Sequence, residues 1–319
     1  MRAATESLPK LSIERAQGLT QEVFEQRYLA GSGKPVVVTD VVKSWKALKL
    51  WSFDMLRARY GTDQVAPRIF LRPKIIKPMT LAEYFDYLDA PETLPRGFWI
   101  DAVTLHPRAV PAEVPPYSLY LGWNVFGRHP ELLDDIQLSP TFVEDWLPLL
   151  PGALRKTMDE ATRYFAAGLM IGCGNGQLGL HYDFLDTHAY LAQIIGKKRC
   201  LLFSPEDSAA LYDGEVDPDD PDFEKFPLFR NATAYECILE PGELLFIPYR
   251  WWHHVVSLEK SITVNYNFFN RVNFGGYLTN LLRALPAVVD GLAQSPDARA
   301  ALGIDWTCRG FDSPNSGTT

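Results

Sequence analysis

Cysteine is scarce and unpatterned in this chain: Cys173, Cys200, Cys237 and Cys308 stand far apart without C-x-x-C spacing. That argues against the disulfide framework of a small secreted protein and favours a reducing, cytoplasmic setting. Cys200 and Cys237, inside strand-like runs, are expected to be buried as small hydrophobes. No run of about 18 apolar residues occurs, so a membrane span is not supported. No early apolar segment resembles a secretory signal. Positive charge is in deficit, with 31 Lys and Arg against 39 Asp and Glu and a formal net charge of −8. This argues against broad binding to a phosphate backbone, and no nucleic-acid partner is expected. Internal repeats and heptads are also missing.

What the chain does hold is apolar bulk. Hydrophobic residues make up 47% and aromatics 13% of 319 residues, enough for a substantial core. One body is expected, because β-rich folds with flanking helices reach this length as a unit. Thr20, Ser52 and Thr80 each precede a helical pattern, with Gly61 ending the second. A strand is expected over 65–71, a loop over the Pro-rich run 107–116, a strand resuming at Ser118, and short helices over 129–158. An apolar strand from Tyr164 to Ile171 leads to a Gly-rich turn. Residues 189–203 form two apolar runs broken by Gly196-Lys197-Lys198-Arg199 and read as a hairpin of buried strands. Leu244–Ile247 reads as a short buried strand between Pro-Gly and Pro-Tyr-Arg turns. After Asn270 the pattern turns helical.

The chemistry-bearing residues sit in two segments, His181-Tyr182-Asp183 and Trp251-Trp252-His253-His254. On one strand, His181 and Asp183 would project to the same face while Tyr182 turns away. A histidine from a second strand would complete two imidazoles and one carboxylate, a set that holds Fe(II) on one face and leaves the other open. An isolated H-x-D is a weak motif, and its weight comes from context. His188 is a rival ligand, but it would lie on the face opposite Asp183 of a continuous strand. Punctuated strands of this kind suggest a double-sheet jelly roll.

Four ordered blocks extend the signal: His181-Tyr182-Asp183; Ala192-Gln193-Ile194 with Gly196, Lys198-Arg199-Cys200 and Leu202-Phe203; Val216-Asp217 through Asp219, Pro221-Asp222-Phe223-Glu224 and Phe226-Pro227; and Pro241-Gly242-Glu243-Leu244 through Trp251-Trp252-His253-His254. In these blocks the chain resembles the JmjC/cupin-like Fe(II)- and 2-oxoglutarate-dependent oxygenases, and is most similar to the factor-inhibiting-HIF type of asparaginyl hydroxylase. The resemblance implies a mainly β fold with flanking helices: an N-terminal α/β segment over 1–116, a jelly-roll catalytic core over 117–272 and a C-terminal helical module over 273–319. It selects His253 as the third metal ligand, with His254 on the opposite face. It also implies that 2-oxoglutarate and O2 occupy the open side, with Lys198 anchoring the far carboxylate, Tyr120 sharing it and Asn265 facing the cosubstrate. A buried carboxylate without a cation would be costly, which gives Lys198 a physical purpose. The C-terminal helices either pack on their own barrel or, as the resemblance suggests, form a homodimer.

Four departures bear on substrate. Thr187-His188-Ala189 replaces an expected Asn near the cosubstrate, Leu178 stands for a threonine and Asn267 for a tryptophan. The substrate loop is shorter and reads Leu211-Tyr212-Asp213-Gly214-Glu215, so asparagine specificity is not supported. The expected activity is hydroxylation of a protein or peptide side chain, with a polar or cationic target favoured by the nearby carboxylates. N-methyl-lysine or N-methyl-arginine demethylation and a non-catalytic cupin-like binding module are the alternatives.

Overall fold

Alternating and fully apolar runs between residues 167 and 268 build eight core strands: β1 (Ala167–Gly172), β2 (Gln177–His181), β3 (His188–Ile195), β4 (Lys198–Phe203), β5 (Ala234–Leu239), β6 (Leu244–Ile247), β7 (Trp252–Ser257) and β8 (Ser261–Phe268). The computed structural model describes residues 8–69, 75–93, 99–101, 107–108, 119–150, 166–183, 185–281 and 283. The strands divide into two sheets. One has the core order β6-β3-β8-β1 and the other β5-β4-β7-β2, all neighbouring core pairs antiparallel. This is the jelly roll expected from the punctuation pattern.

The expected hairpin over 189–203 does not form. β3 pairs with β6 and β8, whereas β4 pairs with β5 and β7, so the chain crosses between sheets at Gly196-Lys197. Gly196 takes a φ of +72°, and a Cβ there would lie 2.4 Å from the Lys260 carbonyl oxygen. Only glycine makes that corner without displacing backbone. Gln193 braces it by donating to the carbonyls of Ile195 and Gly196.

Each face of each sheet is covered. Between the sheets, Ala189, Leu191, Leu245 and Ile247 meet Cys200, Leu202, Cys237 and Val255. The two cysteines are buried and free, as expected of small hydrophobes; Cys308 lies outside the described residues. The outer face of the β5-β4-β7-β2 sheet packs Leu201, Phe203 and Trp252 under the segment carrying Leu211, Val216, Phe226 and Phe229. The other outer face packs Tyr190, Phe246, Val264 and Phe268 against Phe24, Leu56, Tyr84 and Phe85 of the N-terminal helices.

Those helices begin where the sequence places their caps. Thr20 accepts from Val23 N, Ser52 from Met55 N, and Thr80 forms a reciprocal capping box with Glu83. The first helix is only Gln21–Phe24, continued by a wider turn over Glu25–Leu29. The N-terminal segment also extends both sheets. Lys10–Ser12 runs parallel to β5, and Glu14–Ala16 runs parallel to Val36–Val38, which itself pairs with β6. In place of one strand over 65–71 there are two short ones, Gln64–Val65 and Arg68–Ile69. Pro67, between them, lacks the N–H that a continuous ladder requires.

The strand Leu119–Trp123 pairs with β1 and carries Tyr120 inward. Pro107–Arg108 pairs with Trp99–Asp101, and the rest of the expected Pro-rich loop lies outside the described residues. The short helices expected over 129–158 are 3-10 helices where the chain is described, at Pro130–Asp135 and Leu147–Leu149; 151–165 are not described. The C-terminal helical turn over 274–281 packs on its own barrel, with Tyr277 stacked on Phe269 at 4.1 Å. Residue 282 and residues 284–319, where the expected dimer helices fall, lie outside the described residues. Among the described residues no helix is long and apolar enough to cross a membrane.

Candidate metal centre and cosubstrate pocket

Strand pairing brings the distant motifs together. His181 at the end of β2 lies directly across from His253 in β7, and the two ring centroids are 4.2 Å apart. Asp183 joins them, and one ligand atom from each of the three residues lies within 4.8 Å of the others. One expectation about their arrangement fails. β2 stops at His181, so Asp183 is on the loop that follows and not two positions along a strand. A register shift between Leu178 and His181 and the turn formed where Asp186 N donates to the Asp183 carbonyl end the ladder there.

The imidazoles are oriented for ligation. His181 Nδ1 lies 2.7 Å from the Gly179 carbonyl oxygen, and His253 Nδ1 lies 3.1 Å from that of Trp251. A carbonyl only accepts, so each Nδ1 carries the proton and each Nε2 is the unprotonated nitrogen. Asp183 Oδ2 accepts from Asn267 Nδ2 at 2.9 Å, and Asn267 also donates to Thr187 Oγ1 at 3.1 Å. Burial raises the Asp183 carboxyl above its usual range, opposed by His253 and the Asn267 amide. A divalent cation among the three groups would offset that desolvation.

Lys198 opens β4 and faces the same interior. Its side chain is 1% exposed and Nζ donates to Tyr120 Oη at 2.6 Å; no carboxylate pairs with it among the described residues. Burial pulls its ammonium down to about 7. Tyr120 reaches this position because Gly172, its backbone neighbour on β1, has no side chain. A Cβ at Gly172 would sit 2.7 Å from Tyr120 Cε2. The same burial raises the Tyr120 phenol, keeping it a neutral hydrogen-bond donor. Lysine and phenol together suit a carboxylate that enters without its own cation.

A pH dependence follows from these groups. An anionic ligand beside Lys198 favours the charged ammonium, so binding takes up a proton above pH 7. The affinity for a carboxylate ligand at this position is expected to fall by up to about tenfold per pH unit between pH 7 and 9. Isothermal titration in buffers of different ionisation heat measures that proton uptake directly. The ligand-free fold moves oppositely. Lys198 is depressed from about 10.4 in the unfolded chain, so its destabilisation is complete below pH 7 and is relieved as pH rises from about 7 to about 10.4.

The remaining expected residues fall around this core. Asn265 points inward from β8 and donates from Nδ2 to Asn267 Oδ1 at 2.7 Å, continuing the chain that ends on Asp183. His188 lies on the outward face among Phe246, Tyr249 and Phe268, accepts from Tyr249 N, and is pushed down to about 3 by burial. His254 faces outward from β7, where Nε2 meets Asp219 Oδ2 at 3.1 Å. That bond and the ion pair with Arg199 hold the Asp219 carboxyl down at about 2. Asp217, Asp219 and His254 form a second cluster, but Asp219 is already paired with Arg199 and bonded to His254. A cavity of about 470 Å³ flanks the metal loop, bounded by Tyr182, Asp186, Asp213, Arg250, Trp252 and Arg283.

Asn267 is the side chain of the candidate site that sequence reasoning missed, appearing there only as a departure from pattern. Its signal was its i+2 relation to Asn265, which puts both amides on one face of β8. Asn267→Leu is expected to lower metal affinity ten- to hundredfold, the usual cost of losing a group that orients a ligand. Anaerobic Co(II) titration measures it.

A double sheet that gathers two histidines and an aspartate beside a buried lysine defines a class: the JmjC-type, cupin-fold Fe(II)- and 2-oxoglutarate-dependent oxygenases. The chain belongs to the cupin-like domain family, which it matches over residues 20–274. It is 43% identical to chicken (Gallus gallus) tRNA wybutosine-synthesizing protein 5 over 263 residues, covering 81% of this chain and 77% of that protein. With lysine-specific demethylase JMJ21 of Arabidopsis thaliana it shares 28% identity over 283 residues, 83% of this chain but only 26% of that protein. Lysine-specific demethylase 8 of Xenopus tropicalis matches at 28% over 258 residues, 77% of this chain and 50% of that protein. The chain thus spans half or less of these two demethylases.

Proposed function

We propose that the chain is an Fe(II)- and 2-oxoglutarate-dependent dioxygenase that hydroxylates a side chain of a protein or peptide. One observation carries the reading: two imidazoles with Nδ1 committed to carbonyls offer Nε2 near Asp183, while Lys198 lies buried with no carboxylate partner among the described residues. His181, Asp183 and His253 would hold the iron, and Lys198 with Tyr120 would hold the far carboxylate of 2-oxoglutarate. Asn265 and Asn267 would keep the Asp183 side oriented. The bound iron and cosubstrate would supply oxygen activation, converting 2-oxoglutarate to succinate and CO2 as one oxygen enters a substrate C–H bond.

Anaerobic titration of Fe(II) into protein with 2-oxoglutarate is expected to raise a visible charge-transfer band. Folded protein without such a band defeats the proposal. Succinate formation that depends on added substrate would separate an enzyme from a non-catalytic binding module. The narrower likeness to asparaginyl hydroxylases does not extend to their substrate, given Leu178, Asn267 and the short loop 211–215.

A second reading, a tRNA substrate, is favoured by the extent of one alignment: the 43% identity to tRNA wybutosine-synthesizing protein 5 runs over 77% of that protein. The net charge of −8 favours the peptide reading. Mass spectrometry of peptides and of digested tRNA, each after incubation with enzyme, iron and 2-oxoglutarate, decides between them by where a gain of about 16 Da appears. Release of formaldehyde with methyl loss would instead support N-methyl demethylation, the activity in the names of the demethylase relatives.

A further inference from the structure

Asp183 is the one member of the proposed ligand set that lies off a strand; Asn267 holds its carboxylate, and its backbone depends on what ties down Asp186 and Thr187. One tie is an ion pair between Asp186 and Arg250. Arg250 donates from Nε and Nη2 to Asp186 Oδ2 at 3.0 and 2.6 Å, and Asp186 is 3% exposed. Asp186 lies three residues after Asp183, and Arg250 three residues before His253. The pair therefore joins the two segments whose ligands must converge.

Both partners are held in unusual backbone. Asp186 has a φ of 54° and Arg250 a φ of 62°, the left-handed region that side chains with a Cβ rarely adopt. Two charge-assisted bonds from the Arg250 guanidinium to the single oxygen Oδ2 help hold both there. The C-terminal helical turn closes the arrangement from a third side. Asn273 Nδ2 donates to the Asp186 carbonyl at 2.8 Å. Gly276 packs so closely that a Cβ would lie 2.7 Å from Asp186 Oδ2.

We propose that Asp186 and Arg250 are positioning residues, a latch that sets the Asp183 carboxylate against the imidazoles of His181 and His253, with Gly276 as its close-fitting backstop. The proposal rests on the metal-centre reading above. Neither latch residue touches the metal position, and each acts through the ligand three residues away.

Anaerobic Co(II) titration, followed by its visible d–d bands, tests the latch separately from the metal site. Arg250→Met removes the ion pair and keeps an unbranched apolar stem. Gly276→Ala keeps every charge, favours the helix, and pushes the Asp186 carboxylate by steric contact alone. Both are expected to weaken Co(II) binding ten- to hundredfold and to change the band shape, with Arg250→Lys recovering part of the loss. Gly276→Ala keeps the test valid if Arg250→Met does not fold. Wild-type affinity and an unchanged band in a folded variant would overturn the latch while leaving the metal site standing. A wild-type protein that binds no Co(II) or Fe(II) would remove both.

Discussion

Asp183→Ala is expected to abolish turnover while the metal-free protein stays folded. In the proposed site Asp183 is the sole anionic ligand, and without it two neutral imidazoles face the cation alone. The loss should exceed roughly 100-fold in metal affinity, since groups that merely orient a ligand already contribute up to that much. Stability should move little or rise. Burial raises the Asp183 carboxyl, so the folded state binds protons more readily than the unfolded chain. Its ionised form therefore costs the metal-free fold stability above the ordinary carboxylate range, a cost that disappears with the side chain. Circular dichroism melts of metal-free wild type and variant, with succinate production at saturating iron, check both halves. Retained turnover would remove Asp183 from the ligand set.

Lys198→Met is expected to raise the 2-oxoglutarate requirement and to stabilise the ligand-free protein. The ammonium is buried, bonded to the Tyr120 hydroxyl and not paired with a carboxylate among the described residues. A charge so placed is costly to the empty fold, and methionine fills comparable space without it. Against a bound carboxylate the same charge contributes on the order of 1.5–3 kcal/mol. Its loss corresponds to a roughly ten- to hundredfold higher KM for 2-oxoglutarate. Metal binding by His181, Asp183 and His253 should persist in this variant, which distinguishes it from Asp183→Ala. Steady-state kinetics against 2-oxoglutarate and a metal-free thermal melt give the two readouts. An unchanged KM together with a lower melting temperature would make Lys198 a structural residue only.

The parts legible in the sequence were those written locally. Thr20, Ser52 and Thr80 cap helices because a side-chain oxygen two or three residues from an unpaired N–H is a local arrangement. Leu244–Ile247 is a strand between two turns, and the turn residues mark it without reference to any partner. His181 and His253 were identifiable from their neighbours in ordered blocks. The pairing of β3 and β4 was not. All but the last residue of β3 and all but Arg199 of β4 are buried, so neither run shows the alternation that would reveal which sheet each strand faces. Two apolar runs joined by a short turn look like a hairpin whether or not they pair.

The same limit explains Asp183 and Asn267. The i, i+2 rule predicts a shared face only while the strand continues, and nothing in His181-Tyr182-Asp183 marks where pairing with β7 ends. Asn267 lies 84 residues from the carboxylate it orients.

By itself the sequence determined the jelly-roll class, the identity of the residues offered for chemistry and the scarcity of basic charge, because periodicity, turn chemistry and residue type are properties of short stretches. Only the tertiary structure decided that His181 lies opposite His253, that the carboxylate is held on a loop by Asn267, and that Lys198 is buried beside Tyr120. Those relations depend on which strands pair and what covers them, and long-range pairing is set by burying apolar faces together over the whole molecule.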